Sequence, residues 1–116
     1  MAANGEPDFE RLRRWKRYDF DVRIRVTMIV DGTARSVYGR GNDLSTGGMA
    51  AFVAAELNKG DMVEVDVTLP YSSQPMKLKA MICNRAGYKY GLEFLDILPQ
   101  QRKMIERTCS ALEFIH

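Results

Sequence analysis

Cysteine and histidine are scarce in this chain, and their scarcity excludes several kinds of site. The 116 residues include two cysteines, Cys83 and Cys109, and one histidine, His116. Two cysteines are too few for a disulfide framework, and the set is too small for a zinc site. We therefore expect reduced thiols, no bound metal and a cytoplasmic protein. A histidine at the last position is also a poor general base, because chain termini are usually poorly ordered.

Long apolar runs are missing as well. No run approaches the roughly 20 apolar residues that a membrane-spanning helix needs. The first ten residues, MAANGEPDFE, are polar and acidic, unlike a secretory leader. We therefore expect no transmembrane helix, no signal peptide and no insertion into a membrane.

Enzyme motifs are absent too. The sequence has no Gly-Lys-Ser/Thr phosphate loop of the Walker type. The carboxylates of Glu64 and Asp66 fall on the polar side of an alternating segment, where solvated charge is the usual arrangement. These absences predict a binding domain and not an enzyme.

The composition is that of one folded domain, but its charge is unevenly distributed. The hydrophobic fraction is 46% and the charged fraction 28%, both ordinary for a globular chain. The net charge is +2, and residues 11–25 carry seven basic residues against two acidic ones, whereas residues 26–116 are balanced. This local surplus predicts an anionic partner of limited size, or else a solvated basic arm with no ligand.

Six segments have the alternation or the turn boundaries of short strands. In Phe20–Val30, apolar and polar residues alternate, and Asp31-Gly32 suits a two-residue hairpin turn. Six strands without a helix between them predict an all-β, antiparallel barrel or sandwich. The predicted strands are 20–30, 33–40, 49–53, 62–69, 76–84 and 88–95, and residues 41–48 are predicted to be a loop.

The end of the chain has helical periodicity. Pro99 suits the first turn of a helix, and apolar residues then recur at helical spacing. We predict a helix over about 99–114, packed on the barrel or against a partner. The domain organisation is then a flexible N-terminus over 1–10, a barrel domain over 11–98 that includes a basic arm at 11–19, and a C-terminal helix within 99–116.

The first candidate binding motif lies in the basic arm, at Arg13-Arg14-Trp15-Lys16-Arg17. Arginine presents a planar fork of donors that grips a phosphate bidentately and stacks on a flat base. The spacing of Arg13 and Arg17 lets two guanidinium groups close on one ligand. In so basic a segment, such a spacing is a weak signal by itself.

The second candidate motif is Asp43-Leu44-Ser45-Thr46-Gly47-Gly48. A carboxylate accepts two hydrogen bonds from the N1 and N2 donors of guanine, and a serine hydroxyl donates or accepts nearby. The glycines Gly47 and Gly48 let backbone N–H groups approach a ligand. The alternative interpretation is an Asx or Ser turn that links two strands. Taken together, the two motifs match the phosphates and the base of a guanine nucleotide.

The two motifs resemble those of PilZ domains, which are Arg-x-x-x-Arg ahead of the first strand and Asp/Asn-x-Ser-x-x-Gly after the second. Arg13–Arg17 and Asp43–Gly48 match both patterns in full and in the same order. Tyr90–Phe94 is similar to the Gly-x-x-Phe strand found late in that family. The resemblance spans about residues 11–96.

This resemblance implies a six-stranded antiparallel β-barrel that binds the bacterial second messenger cyclic di-GMP, with no further cofactor. It implies that Arg13 and Arg17 hold phosphates and stack on guanine, with Arg14 as an extra donor. Asp43 and Ser45 would read the base edge, and Gly48 would permit close approach. We expect an adaptor that relays ligand occupancy to an unidentified partner protein, in settings such as motility, polysaccharide export or virulence control.

Two other functions stay open at this stage. One is a PilZ module that docks a protein without sensing ligand. The other is a small barrel that binds single-stranded nucleic acid, with Tyr18, Tyr38 and Tyr71 as stacking platforms. Charge neutrality beyond the basic arm disfavours nucleic acid, since a groove that follows a strand should be basic along its length.

Overall fold

In the computed structural model, which describes residues 16–115 without the side chain of Ile115, six antiparallel strands close into a barrel. The order of the strands around the barrel is β1-β2-β3-β6-β5-β4, and β4 pairs with β1 to close it. The predicted architecture is therefore confirmed. The elements are β1 (Tyr18–Val30), β2 (Thr33–Leu44), β3 (Gly48–Val53), β4 (Met62–Thr68), β5 (Pro75–Ala86), β6 (Lys89–Leu95) and α1 (Pro99–Ile115).

The largest departure from the predicted boundaries is at the end of β2. The strand continues beyond Arg40 to Leu44, so the predicted loop over residues 41–48 shrinks to residues 45–47. The placement of Asp43 in a loop is thus wrong. Glycine and polar residues join the strand here because β2 pairs with β1 on one side and with β3 on the other, and backbone hydrogen bonding does not depend on side-chain type.

Smaller departures occur at the other strand ends. β1 begins at Tyr18, two positions before the predicted start at Phe20, and β5 includes Pro75 and continues to Ala86. The last hairpin turns at Gly87, whose φ of 64° is readily adopted by glycine. The first hairpin turns at Asp31 and Gly32, both with positive φ, as the Asp-Gly pair predicts.

The core follows from the alternation of the strands and from one side of the helix. In β4, Val63, Val65 and Val67 are buried while the residues between them reach the surface. From α1, Ile105 and Leu112 join the same apolar cluster as the strands. The apolar side of the helix is therefore covered by the barrel itself.

Both cysteines are buried, and neither forms a disulfide. Burial, with the nearby charge of Glu106, raises the pKa of the Cys109 thiol to about 11. Cys109 is therefore a protonated packing residue near neutral pH, and not a reactive thiolate. Within residues 16–115, no helix combines the length and the apolar character needed to cross a membrane.

Tyr90, on β6, ties the connection between β3 and β4 to the barrel. Its side chain is fully buried, and its hydroxyl donates to the Ala55 carbonyl at 2.6 Å. The same oxygen accepts from the backbone N–H of Leu57 at 3.0 Å. One side chain thus satisfies two polar groups of a connecting segment whose own backbone partners are few.

The first prediction concerns this hydroxyl. Tyr90→Phe leaves the N–H of Leu57 and the carbonyl of Ala55 without their partner, and we expect the free energy of unfolding to fall by about 1–3 kcal/mol. Urea denaturation followed by circular dichroism measures this change. Tyr88→Phe is the matched control, because Tyr88 is exposed and should leave stability unchanged. Equal stability of the two variants would contradict the assigned role of the Tyr90 hydroxyl.

Candidate functional site

A cleft of about 230 Å³ lies on the outer surface of the barrel and brings parts of both motifs together. Arg17 of the basic arm lines it together with Asp43, Ser45 and Gly48 of the second motif. Gly47 belongs to the same turn but is not among the described residues that line the cleft. Arg13 and Arg14 lie outside the described residues.

A β-bulge aims Asp43 into this cleft. Gly41 pairs with Ala51 and Asp43 pairs with Ala50, so that Asn42 is an extra residue in β2. The extra residue reverses the alternation, which turns Leu44 into the core and Asp43 onto the outer face. The Asp43 carboxylate is half-buried, and its Oδ1 accepts from the backbone N–H of Ala50 at 3.2 Å.

Ser45 is buried, and its hydroxyl is engaged by its own turn. Its Oγ accepts from the N–H groups of Gly47 at 3.2 Å and Gly48 at 3.1 Å, and donates to the Gly48 carbonyl at 3.3 Å. This arrangement is a hydrogen-bonded serine turn, which is the alternative interpretation of the second motif. A ligand that accepts from the Ser45 hydroxyl would have to replace the Gly48 carbonyl.

Glycine at position 48 is required by packing between strands. A β-carbon there would overlap the carbonyl oxygen of Leu92 on β6, which pairs closely with β3 at this point. The motif predicts a close approach at Gly48, and the group that approaches is the backbone of the neighbouring strand. It places the Ser45 turn directly against β6.

Arg17 is exposed and makes no hydrogen bond or ion pair with any other residue of the described part of the chain. Its two neighbours are both bound to α1. The Lys16 Nζ lies 2.9 Å from Oε2 of Glu113, and the Tyr18 hydroxyl donates to Oε1 of the same residue at 3.0 Å. These contacts lower the pKa of the Glu113 carboxyl and hold the backbone on either side of Arg17.

Strands β5 and β6 contribute cleft residues that the sequence analysis did not select. Ala86 and Gly91 provide a floor of small residues, and Asn84 and Lys89 add an amide and a cation. Asn84, Ala86 and Lys89 escaped detection because they lie far from both motifs in the chain and form no motif of their own. Gly91 is the glycine of the Gly-x-x-Phe segment, and glycine inside a strand often marks close approach of another group.

The charges of the cleft suit an anion that also carries hydrogen-bond donors. Arg17 and Lys89 supply positive charge, and Asp43 supplies a carboxylate acceptor. Among the described residues, no cluster of three or more acidic, histidine or cysteine side chains is placed to hold a metal ion. Chemically, the cleft can therefore pair a phosphate with the arginine and a donor edge with the carboxylate.

Sequence comparison assigns the family. The family model for the PilZ domain matches residues 11–111, which is most of the chain. The chain belongs to the PilZ family. No curated protein sequence matches it.

Solved structures of PilZ domains share its fold. The PilZ domain of YcgR from Escherichia coli with c-di-GMP is 20% identical, with a TM-score of 0.67 over 87% of this chain and 91% of that one. The PilZ domain of CeSA from a cellulose-synthesizing bacterium is 24% identical, with a TM-score of 0.64 over 84% and 98%. The inhibitor of motility of Bacillus subtilis is 14% identical, with a TM-score of 0.71 over 88% of this chain and 51% of that one.

The second prediction concerns the structural role of Asp43. Asp43→Ala removes the acceptor for the Ala50 N–H, and we expect it to lower the free energy of unfolding by about 1 kcal/mol. Asp43→Asn keeps an acceptor oxygen and should remain within about 0.5 kcal/mol of the parent protein. Urea titrations of both variants measure the difference. An unchanged Asp43→Ala protein would show that this hydrogen bond does not stabilise the bulge.

Proposed function

We propose that this PilZ domain is a cytoplasmic receptor for cyclic di-GMP in a bacterial cell, and that it relays occupancy to a partner protein without catalysing a reaction. The observation that carries the proposal is the convergence of Arg17 and Asp43, from two motifs far apart in the chain, on one cleft. Two of the similar structures support cyclic di-GMP as the ligand, since each is a complex of YcgR with c-di-GMP.

The chemistry of each side chain suggests its role. The Arg17 guanidinium pairs with a phosphate and stacks on a base, and Asp43 accepts from N1 and N2 of a guanine. Arg13 and Arg14 are proposed as further phosphate donors from the same arm. Ser45, Gly47 and Gly48 shape the turn that borders the base, and Ser45 becomes a direct contact if its hydroxyl leaves the Gly48 carbonyl.

The helix offers a route by which occupancy reaches a partner. Arg17 lies between Lys16 and Tyr18, and both of these residues bind Glu113 of α1. A ligand that draws Arg17 into the cleft therefore pulls on the same backbone that holds the helix. The exposed side of α1 is then the surface on which a partner would sense the change.

The arrangement of the tyrosines disfavours the nucleic-acid alternative. Tyr18, Tyr38 and Tyr71 line three separate depressions of the described surface. Tyr38 is stacked against the Arg23 guanidinium, whose central carbon lies 3.9 Å from the ring centroid. A continuous track for a strand needs neighbouring platforms, and these rings do not provide one.

The third prediction tests the ligand by calorimetric titration. We expect the parent protein to bind cyclic di-GMP and not a generic single-stranded oligonucleotide. Arg17→Ala should weaken binding by about 30-fold to several thousand-fold, which corresponds to about 2–5 kcal/mol for a phosphate left without its donor. Asp43→Ala should also weaken it.

The matched control for Arg17→Ala is Arg35→Ala. Arg35 is exposed near the opposite end of β2, so its loss removes the same charge far from the cleft. Binding by Arg35→Ala should equal that of the parent protein. A parent protein that binds no cyclic di-GMP would favour a docking module without ligand sensing, and tight binding of the oligonucleotide instead would favour the nucleic-acid alternative.

The fourth prediction uses Trp15, the only tryptophan, which lies two positions before Arg17 in the sequence. If bound phosphates neutralise the repulsion within the basic arm, we expect the arm to order over the cleft and the Trp15 environment to change. Saturating cyclic di-GMP should then shift the Trp15 emission and slow hydrogen exchange of residues 13–17. Equal protection with and without ligand would exclude ordering of the arm as the switch.

A further inference from the structure

Four strands carry a straight row of residues across the floor of the cleft. Asp43 pairs with Ala50, Ala50 with Gly91, and Gly91 with Asn84, from β2 through β3 and β6 to β5. The middle of the row consists of an alanine and a glycine, both buried, which leave this part of the floor without polar side chains. The two ends carry the only side chains of the row that are able to form hydrogen bonds.

A second β-bulge aims Asn84 onto this row. Ile82 pairs with Leu92 and Asn84 pairs with Gly91, so Cys83 is an extra residue in β5. Ile82 and Cys83 are both buried, and the reversal of alternation sends Asn84 outward into the cleft. A β-bulge therefore turns the polar side chain outward at each end of the row.

The two polar ends lean toward each other. Asp43 leans toward β3, where its carboxylate accepts from the Ala50 N–H. The Asn84 amide lies over Gly91, since a β-carbon on that glycine would come within 2.6 Å of Oδ1 and 2.7 Å of Nδ2. Because Ala50 and Gly91 are paired neighbours, the carboxylate and the amide contact adjacent strands, which lie about 5 Å apart.

Most of the hydrogen-bonding groups of the Asn84 amide are not used within the described part of the chain. Its one hydrogen-bond contact within residues 16–115 is a long one, from Nδ2 to the Sγ of Cys83 at 4.0 Å. A half-buried amide carries two donors and an acceptor, so most of this capacity faces the cleft.

We propose that Asn84 is a further ligand-binding residue of this cleft, whose amide donates to the O6 oxygen of the guanine that Asp43 recognises. This inference rests on the proposed function. Asp43 satisfies the N1 and N2 donors of the base, and the adjacent acceptor on the same edge is O6. A carboxylate and an amide one strand apart together complement that whole edge, whereas adenine presents an amino group in place of O6.

Gly91 has a positioning role in this arrangement. Its hydrogen in place of a side chain is what allows the Asn84 amide to lie over β6 and point toward Asp43. Gly91→Ala would push the amide away from the row without altering any polar group.

The test compares Asn84 variants by calorimetric titration with cyclic di-GMP. We expect Asn84→Ala to weaken binding at least about fivefold, because O6 loses its donor. Asn84→Asp should weaken binding further, since a second carboxylate faces O6 and lies close to Asp43. Gly91→Ala should also weaken binding. Asn58→Ala, in the exposed turn before β4, is the matched control and should bind like the parent protein.

A modified ligand distinguishes a direct contact from a structural effect. A cyclic dinucleotide with 2-aminopurine in place of guanine keeps the N2 amino group but lacks O6 and the N1 hydrogen, so we expect it to bind more weakly, and its affinity is measured by displacement. We expect Asn84→Ala to cause no further loss with this analogue. An equal loss with both ligands would make Asn84 merely structural and overturn the inference.

Failure of this inference is separable from failure of the proposed function. A parent protein that binds cyclic di-GMP while Asn84→Ala binds it equally well would overturn the role of Asn84 alone. A parent protein that binds no cyclic di-GMP would overturn both. Thermal melting of each variant verifies that it is folded at the titration temperature.

Discussion

Closure of the barrel is the constraint on which the candidate site depends. Because β4 pairs with β1, each of the six strands is hydrogen-bonded on both sides, and its pairing with each neighbour is fixed. A slip of one residue would turn the buried side chains outward, which the apolar core opposes. The positions of outward residues are therefore as well determined as those of the core. This is how Asp43 and Asn84, on different strands, come to lie in one row.

Two of the irregularities in strand pairing, the bulges in β2 and β5, lie at the cleft. Extra residues at Asn42 and Cys83 reverse the alternation of β2 and β5 where a polar side chain must face out. The bulge in β2 has a cost, because Oδ1 of Asn42 is buried without a hydrogen-bond partner among the described residues. A fold that tolerates such a cost next to a cleft is consistent with a binding role for the side chain that the bulge exposes.

The candidate cleft and the helix meet at the start of β1. Arg17 is exposed and available to an anion, while Lys16 and Tyr18 are tied to Glu113. These are exposed contacts, and an exposed ion pair contributes little to stability, so they hold the segment without locking it. A weak contact beside the proposed ligand contact of Arg17 suits the proposed relay, because ligand binding would then be able to shift the segment.

The sequence by itself determined the number and order of the strands, the inward and outward alternation, the helix and the two motifs. These features are local: period two, period 3.6, turn residues and charge are all visible within short windows. It also predicted that Arg17 and Asp43 suit a guanine nucleotide, because the chemistry of a side chain does not depend on the fold. Only the tertiary structure decided that Asp43 lies in a strand, that Ser45 is engaged in its own turn, and that Asn84 and Gly91 share the row with Asp43. Those facts depend on the registers of four strands and on two bulges, and no local pattern encodes how distant strands align around a closed barrel.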